Sequence, residues 1–269
     1  MPHTQQDDPT NAERKTALHL LRNEYSQRNT REAEIDAELR SLNQEFLTLL
    51  GDRAWNWDMQ VLLKRQVLSR LLHYYEIYKL ILPVPGVIFE FGVQWGATLA
   101  TLISLRGMFE PYNYARKIVG FDTFEGFASV SPQDSVFSKN GQYTVAPGYE
   151  QKLDSILTLQ EELSPLSHIK KFELVKGDAC TTVPRYIADN PHTIVACAIF
   201  DFDIYEPTKV AIEAVLPRLV RGSVLVFDEL NCRHFPGETQ ALLDCLGLNK
   251  LRLIANPHQP YTSYAIYEG

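Results

Sequence analysis

At 269 residues, with 45% hydrophobic and 22% charged content, the chain can bury one large α/β core and carry a helical extension. Its net charge of -7 argues against a general nucleic-acid binder, which would be basic. No apolar run nears the ~20 residues of a membrane span, and residues 1–11 lack the apolar core of a signal peptide. The four cysteines (Cys180, Cys197, Cys232, Cys245) have no C-x-x-C spacing. Neither a structural zinc nor a disulfide frame is expected, and a reducing cytoplasm fits best.

Residues 1–12 are expected to be disordered. From 13 to 85 a helical extension is predicted. Leu18, Leu20 and Leu21, then Leu39, Leu42, Phe46, Leu49 and Leu50, fall at helical spacing. A second amphipathic stretch, from Val61 to Leu80, should stop at Pro83 and Pro85. These helices cover an edge or face of the core and are the candidate contact for a homo-oligomer. From Gly86 the pattern changes to short apolar runs at 87–91, 117–121, 171–175, 194–201 and 223–228, separated by helical segments near 97–107, 149–163, 181–189 and 207–219. Two last strands, 250–255 and 261–267, form a closing hairpin. Residues 86–269 therefore predict a Rossmann-like α/β domain, with a mostly parallel seven-stranded sheet and one antiparallel strand.

Ligands of such sheets sit outside the C-terminal strand ends. The residues there are Glu90, Asp122, Asp178, Asp201 and Asp228, every one acidic. The first strand breaks into Glu90-Phe-Gly-Val-Gln-Trp-Gly96, where Gly92 and Gly96 allow a ligand close to the backbone at a helix N-terminus. This spacing is not the Gly-x-Gly-x-x-Gly of dinucleotide sites, which weakens an NAD-dependent reading. Glycines plus a carboxylate suit a zwitterionic, ribose-bearing cofactor such as S-adenosylmethionine. Asp122 stands where a ribose-binding acid belongs. Asp178 either reaches the adenine edge or caps the next helix. Phe124, Phe127, Tyr143 and Tyr149, in or beside a long loop over 123–148, are candidates to stack on a base or sugar. Asp201-Phe-Asp203 and Asp228-Glu229 end neighbouring strands, and carboxylates so crowded call for a proton or a hard cation.

Four motifs taken in order, Glu90 to Gly96, Gly120-Phe-Asp-Thr-Phe-Glu-Gly126, Asp201-Phe-Asp-Ile-Tyr-Glu-Pro-Thr208 and Phe227-Asp-Glu229, resemble those of the macrocin O-methyltransferase family. Val61-Leu-Leu-Lys-Arg-Gln-Val-Leu-Ser-Arg70, Phe109-Glu-Pro-Tyr-Asn113 and Pro236-Gly-Glu238 extend the likeness, which runs from about residue 40 to 250. Members of this family are class I enzymes that use S-adenosylmethionine to methylate sugar hydroxyls in natural-product pathways. The resemblance implies S-adenosylmethionine as cofactor, and the residues expected to contact it are Glu90, Gly92, Gly96, Asp122, Phe124, Asp178 and Asp201. It also implies a magnesium site at Asp201, Asp228 and Glu229, although Glu229 stands where the family has Asp, which leaves metal dependence open. Asp201 is the expected general base, with His234 a second candidate. The expected acceptor is a small molecule, a nucleotide-linked deoxysugar or a glycosylated metabolite. A phenolic or polysaccharide hydroxyl and a non-catalytic binding protein remain as alternatives.

Overall fold

A computed structural model describes residues 30–53, 57–259 and 261–269. The expected disordered terminus (1–12) and the helical spacing at Leu18 to Leu21 lie outside those residues. The chain divides into two compact units between Leu68 and Ser69. Within the first, helix α1 (Thr30–Leu50) precedes two 3-10 turns, Gly51–Arg53 and Trp57–Leu62. An apolar groove there is lined by Leu39, Leu42, Phe46, Leu49, Val61 and Leu63. Helix α2 (Arg65–Ile81) crosses the division. Its second half buries Tyr74, Ile77, Tyr78 and Ile81, at the i, i+3/i+4, i+7 spacing of a core-facing stripe. It stops before Pro83, as the sequence predicts.

The second unit holds a seven-stranded sheet in the order β3-β2-β1-β4-β5-β7-β6. The strands are β1 (Val87–Phe91), β2 (Ile118–Asp122), β3 (Phe172–Lys176), β4 (Val195–Phe200), β5 (Leu219–Phe227), β6 (Ile254–Ala255) and β7 (Ser263–Ile266). The first five are parallel, and β7 runs antiparallel to both β5 and β6. Between them come α3 (Ala97–Phe109), α4 (Tyr149–Glu162), α5 (Ala179–Asp189), α6 (Tyr205–Val215) and α7 (Pro236–Cys245). Helix α7 has no counterpart in the sequence reading, although Pro236 at its first turn and apolar Ala241, Leu242 and Cys245 on one side are its signals. Among the described residues no helix is long and apolar enough to cross a membrane.

Both faces of the sheet are buried, as a parallel sheet requires. One core joins Ile88, Ile118, Ile199 and Val226 to Tyr74, Ile77 and Leu99 of α2 and α3. The other sets Phe91, Phe121, Phe200 and Phe227 against α5, α6 and α7. Those four phenylalanines are paired in register, Phe91 with Phe121 and Phe200, and Phe200 with Phe227. Their rings stack at 5.3, 5.2 and 5.0 Å across neighbouring strands. Side chains alternate along a strand. Glu90, Asp122, Asp201 and Asp228, each one residue from a ladder phenylalanine, therefore all belong to the opposite face, that of α2 and α3.

Phe200 has no exposure and two stacked partners. Phe200→Ala should lower unfolding free energy by about 3–5 kcal/mol, measured by urea denaturation. A loss below ~1 kcal/mol, less than deletion of a few buried methylenes costs, would remove the ladder from the account of the fold.

Candidate active site

The chain order of the strands reverses between β1 and β4, and the crevice at that switch is where ligands bind in open α/β sheets. A cavity of about 450 Å3 opens there. Of the residues expected at the site, Glu90, Gly92, Asp122, Asp178, Asp201, Asp228 and Glu229 all line it. Gly96, Phe124 and His234 do not.

Gly92 follows β1 with φ +99°, and a Cβ there would lie 2.0 Å from the Asp201 carbonyl oxygen. The ends of β1 and β4 can meet only because this residue has no side chain. Gly96 (φ +77°) is the N-cap of α3 and faces Leu153. The loop between the two glycines is held by Asp122. Its Oδ2 accepts from the backbone amides of Val93 (2.7 Å) and Gln94 (2.8 Å), and its Oδ1 from that of Phe124 (2.5 Å). Asp122 thus shapes the wall of the cavity it lines, while Phe124 packs in the core. Asp178 caps α5 by accepting from the Cys180 amide at 2.9 Å and lines the cavity as well. Phe127 and Tyr143 line it from the long loop, with rings 5.4 Å apart. Tyr149 instead donates to the Trp95 carbonyl at 3.0 Å. His234 lies in the segment leading to α7.

Glu90 is 2% exposed, and its Oε2 has no hydrogen-bond partner. Burial pushes its carboxyl well above the usual carboxylate range; Arg70 opposes this, and Asp122 and Asp228 reinforce it. A buried acceptor left open on a cavity wall fits a ligand that brings a cation or a hydroxyl donor. The glycine cradle and this acceptor therefore suit S-adenosylmethionine.

Arg70 is the residue that sequence reasoning passed over. From α2 its Nη2 donates to Asp201 Oδ2 (3.0 Å) and Thr98 Oγ1 (3.1 Å), and its Nη1 to Asp228 Oδ1 (3.2 Å). Its guanidinium carbon sits 5.3 Å from the Tyr74 ring centroid. Burial works against its positive charge, but Tyr74, Asp228 and Asp201 outweigh that and raise its pKa. A signal existed: Arg70 precedes Tyr74, Ile77 and Ile81 on one helical stripe, and a cation on a core-facing stripe needs buried acids.

The expected magnesium ligands do not form a ligand set. The Arg70 guanidinium lies between Asp201 and Asp228. The Glu229 amide donates to Glu238 Oε1 (3.1 Å), and the Glu229 Oε2 is buried without a hydrogen-bond partner. Among the described residues no group of three or more His, Cys, Asp or Glu side chains is placed to hold a metal ion. The remaining acids, Asp203 and Glu238, are pushed well above the usual carboxylate range by burial and by each other's neighbourhood with Asp228 and Glu229.

No protein-family model and no curated protein matches this sequence. Solved structures do. The calicheamicin methyltransferase CalS11 superposes with a TM-score of 0.86 at 39% identity, covering 90% of this chain and 95% of that one. Its apo form, described as a TDP-rhamnose 3'-O-methyltransferase of calicheamicin biosynthesis, matches at 0.79 and 37%, covering 90% and 97%. The O-methyltransferase NovP shares the fold alone, at 0.56 and 15% identity over 75% of this chain and 80% of that one. At this identity over nearly the full length of both chains, the protein belongs to the family of CalS11, the class I, S-adenosylmethionine-dependent O-methyltransferases.

Proposed function

We propose that the protein methylates a hydroxyl of a nucleotide-linked deoxysugar in natural-product biosynthesis. One observation carries this: four strand-end acids share one sheet face and one cavity, and one of them, Glu90, keeps an open acceptor. The likeness to CalS11, a TDP-rhamnose methyltransferase by its description, supports the acceptor class. When bound, S-adenosylmethionine supplies a methyl group on a positively charged sulfur. Glu90 and Asp178 offer acceptors to its polar groups, and Asp122 keeps the 92–96 loop in the shape that admits it.

An alkyl hydroxyl is a poor nucleophile until it loses its proton. Asp201 takes that proton, the oxygen's electron pair forms the bond to the methyl carbon, and the pair of the breaking bond stays on sulfur. Asp201 alone is proposed as base, because His234 stands outside the cavity lining. A magnesium ion has no part in this reading, since Asp201 and Asp228 face Arg70.

The first unit is proposed to mediate a homo-oligomer. Its groove residues Leu42, Leu49 and Val61 are 57%, 76% and 71% exposed, an apolar surface that a second copy would cover. Four free cysteines support a reducing, cytoplasmic setting.

Three outcomes follow. Labelled methyl should pass from S-adenosylmethionine to members of a nucleotide-deoxysugar panel; transfer only to phenols or polysaccharide would overturn the acceptor class. Asp201→Asn should reduce kcat by about 10²–10⁴-fold, with S-adenosylhomocysteine affinity by calorimetry kept within about threefold, ~0.65 kcal/mol. The double change Leu42→Glu, Leu49→Glu should lower the mass measured by sedimentation to that of one chain.

A further inference from the structure

Seven carboxyl groups line the cavity, from Glu90, Asp122, Asp178, Asp201, Asp203, Asp228 and Glu229, and Glu238 lies against this group. The cation that meets them is Arg70. Its Nη1, Nη2 and Nε point at Asp228, Asp201 and Thr98, with Nε 3.4 Å from Thr98 Oγ1. The same oxygen of Asp228, Oδ1, also accepts from Thr262 Oγ1 at 3.2 Å. The arginine side chain is one-third exposed, so the group reaches the cavity while its two acids are more covered, at 25% and 14%.

A divalent ion shared by two carboxylates needs oxygens from both at about 2.0–2.6 Å. In this chain each of those carboxylates is bound to a different nitrogen of one planar guanidinium, which occupies the span between them. The third acid expected to complete a ligand set, Glu229, is longer than the Asp of the family pattern, and among the described residues it forms no ligand group with Asp201 and Asp228. A guanidinium has a fixed fork geometry and keeps its charge at any working pH. It can do two things a metal ion would do beside a base: offset the mutual repulsion of the acids and hold one carboxylate oxygen in place. With Oδ2 of Asp201 engaged by Nη2, the other oxygen is left for the acceptor's proton.

We propose that Arg70 takes the place of a divalent cation in this site, positioning Asp201 and offsetting part of the repulsion between Asp201 and Asp228, so that methyl transfer needs no added metal. This rests on the methyltransferase reading above. It makes Arg70 a positioning residue that acts through Asp201.

The test pairs metal binding with kinetics on the full chain. Chelator-treated wild type, titrated with Mn2+ and followed by electron paramagnetic resonance, should show no stoichiometric uptake at micromolar metal. Chelator should change its kcat by less than about twofold, ~0.4 kcal/mol in the barrier. Arg70→Met should lose roughly 10²-fold or more in kcat, with KM for the acceptor and S-adenosylhomocysteine affinity nearly unchanged. Arg70→Lys, which keeps the charge but cannot bridge both acids, should recover part of that loss, a rescue that a purely structural role would not show. One Mn2+ bound per chain, or Arg70→Met retaining kcat within tenfold, overturns the proposal and leaves the methyltransferase assignment standing. A wild type that binds no S-adenosylhomocysteine instead overturns that assignment, and the role of Arg70 with it.

Discussion

Four phenylalanines on four adjacent parallel strands set the level at which everything else happens. Phe91, Phe121, Phe200 and Phe227 stack in register on one face, each contact contributing about 0.5–1.5 kcal/mol beyond burial. Slipping any strand by one residue would break a ring contact and also turn its terminal acid to the wrong face. The ladder thus links stability to chemistry: the same register that stacks the rings brings Glu90, Asp122, Asp201 and Asp228 together on the opposite side. Gly92 completes this constraint, because any side chain there would drive β1 and β4 apart where the cavity opens.

The acids so gathered have different fates. Asp122 is used by the protein, with both oxygens on backbone amides of the loop it shapes. Glu90 is held open, buried and unpartnered. Asp201 and Asp228 are bridged from α2 by one guanidinium. Burial pushes Asp203 and Glu238 up, toward the neutral form. A dense group of carboxyls is tolerated because one is spent on structure, two share a cation, and burial pushes Glu90, Asp201, Asp203 and Glu238 toward the neutral form.

Much of this was legible along the chain. The alternation of short apolar runs and helical segments specified the sheet, its closing hairpin and the strand ends within a residue or two, because period-2 and period-3.6 patterns are local. β5 starts earlier than its apolar run, at Leu219, since Arg221 and Gly222 dilute the signal. β6 is only Ile254–Ala255. α7 escaped because its apolar positions are few and it follows an irregular segment. Among site residues, those immediately after a strand were readable, since a strand end is a place that topology reserves for ligands. Phe124 was not: its positive φ (56°) turns the ring into the core, a direction that no spacing encodes.

The sequence by itself determined the fold class, the cofactor type and the row of acids, because each depends on neighbours in the chain: alternation, glycines after a strand, a carboxylate beside a phenylalanine. Tertiary structure alone decided which partners those acids have. Arg70 lies 131 residues from Asp201 and 158 from Asp228. Whether such a cation meets them depends on the packing of α2 over the sheet, a through-space contact between remote segments that no local pattern records.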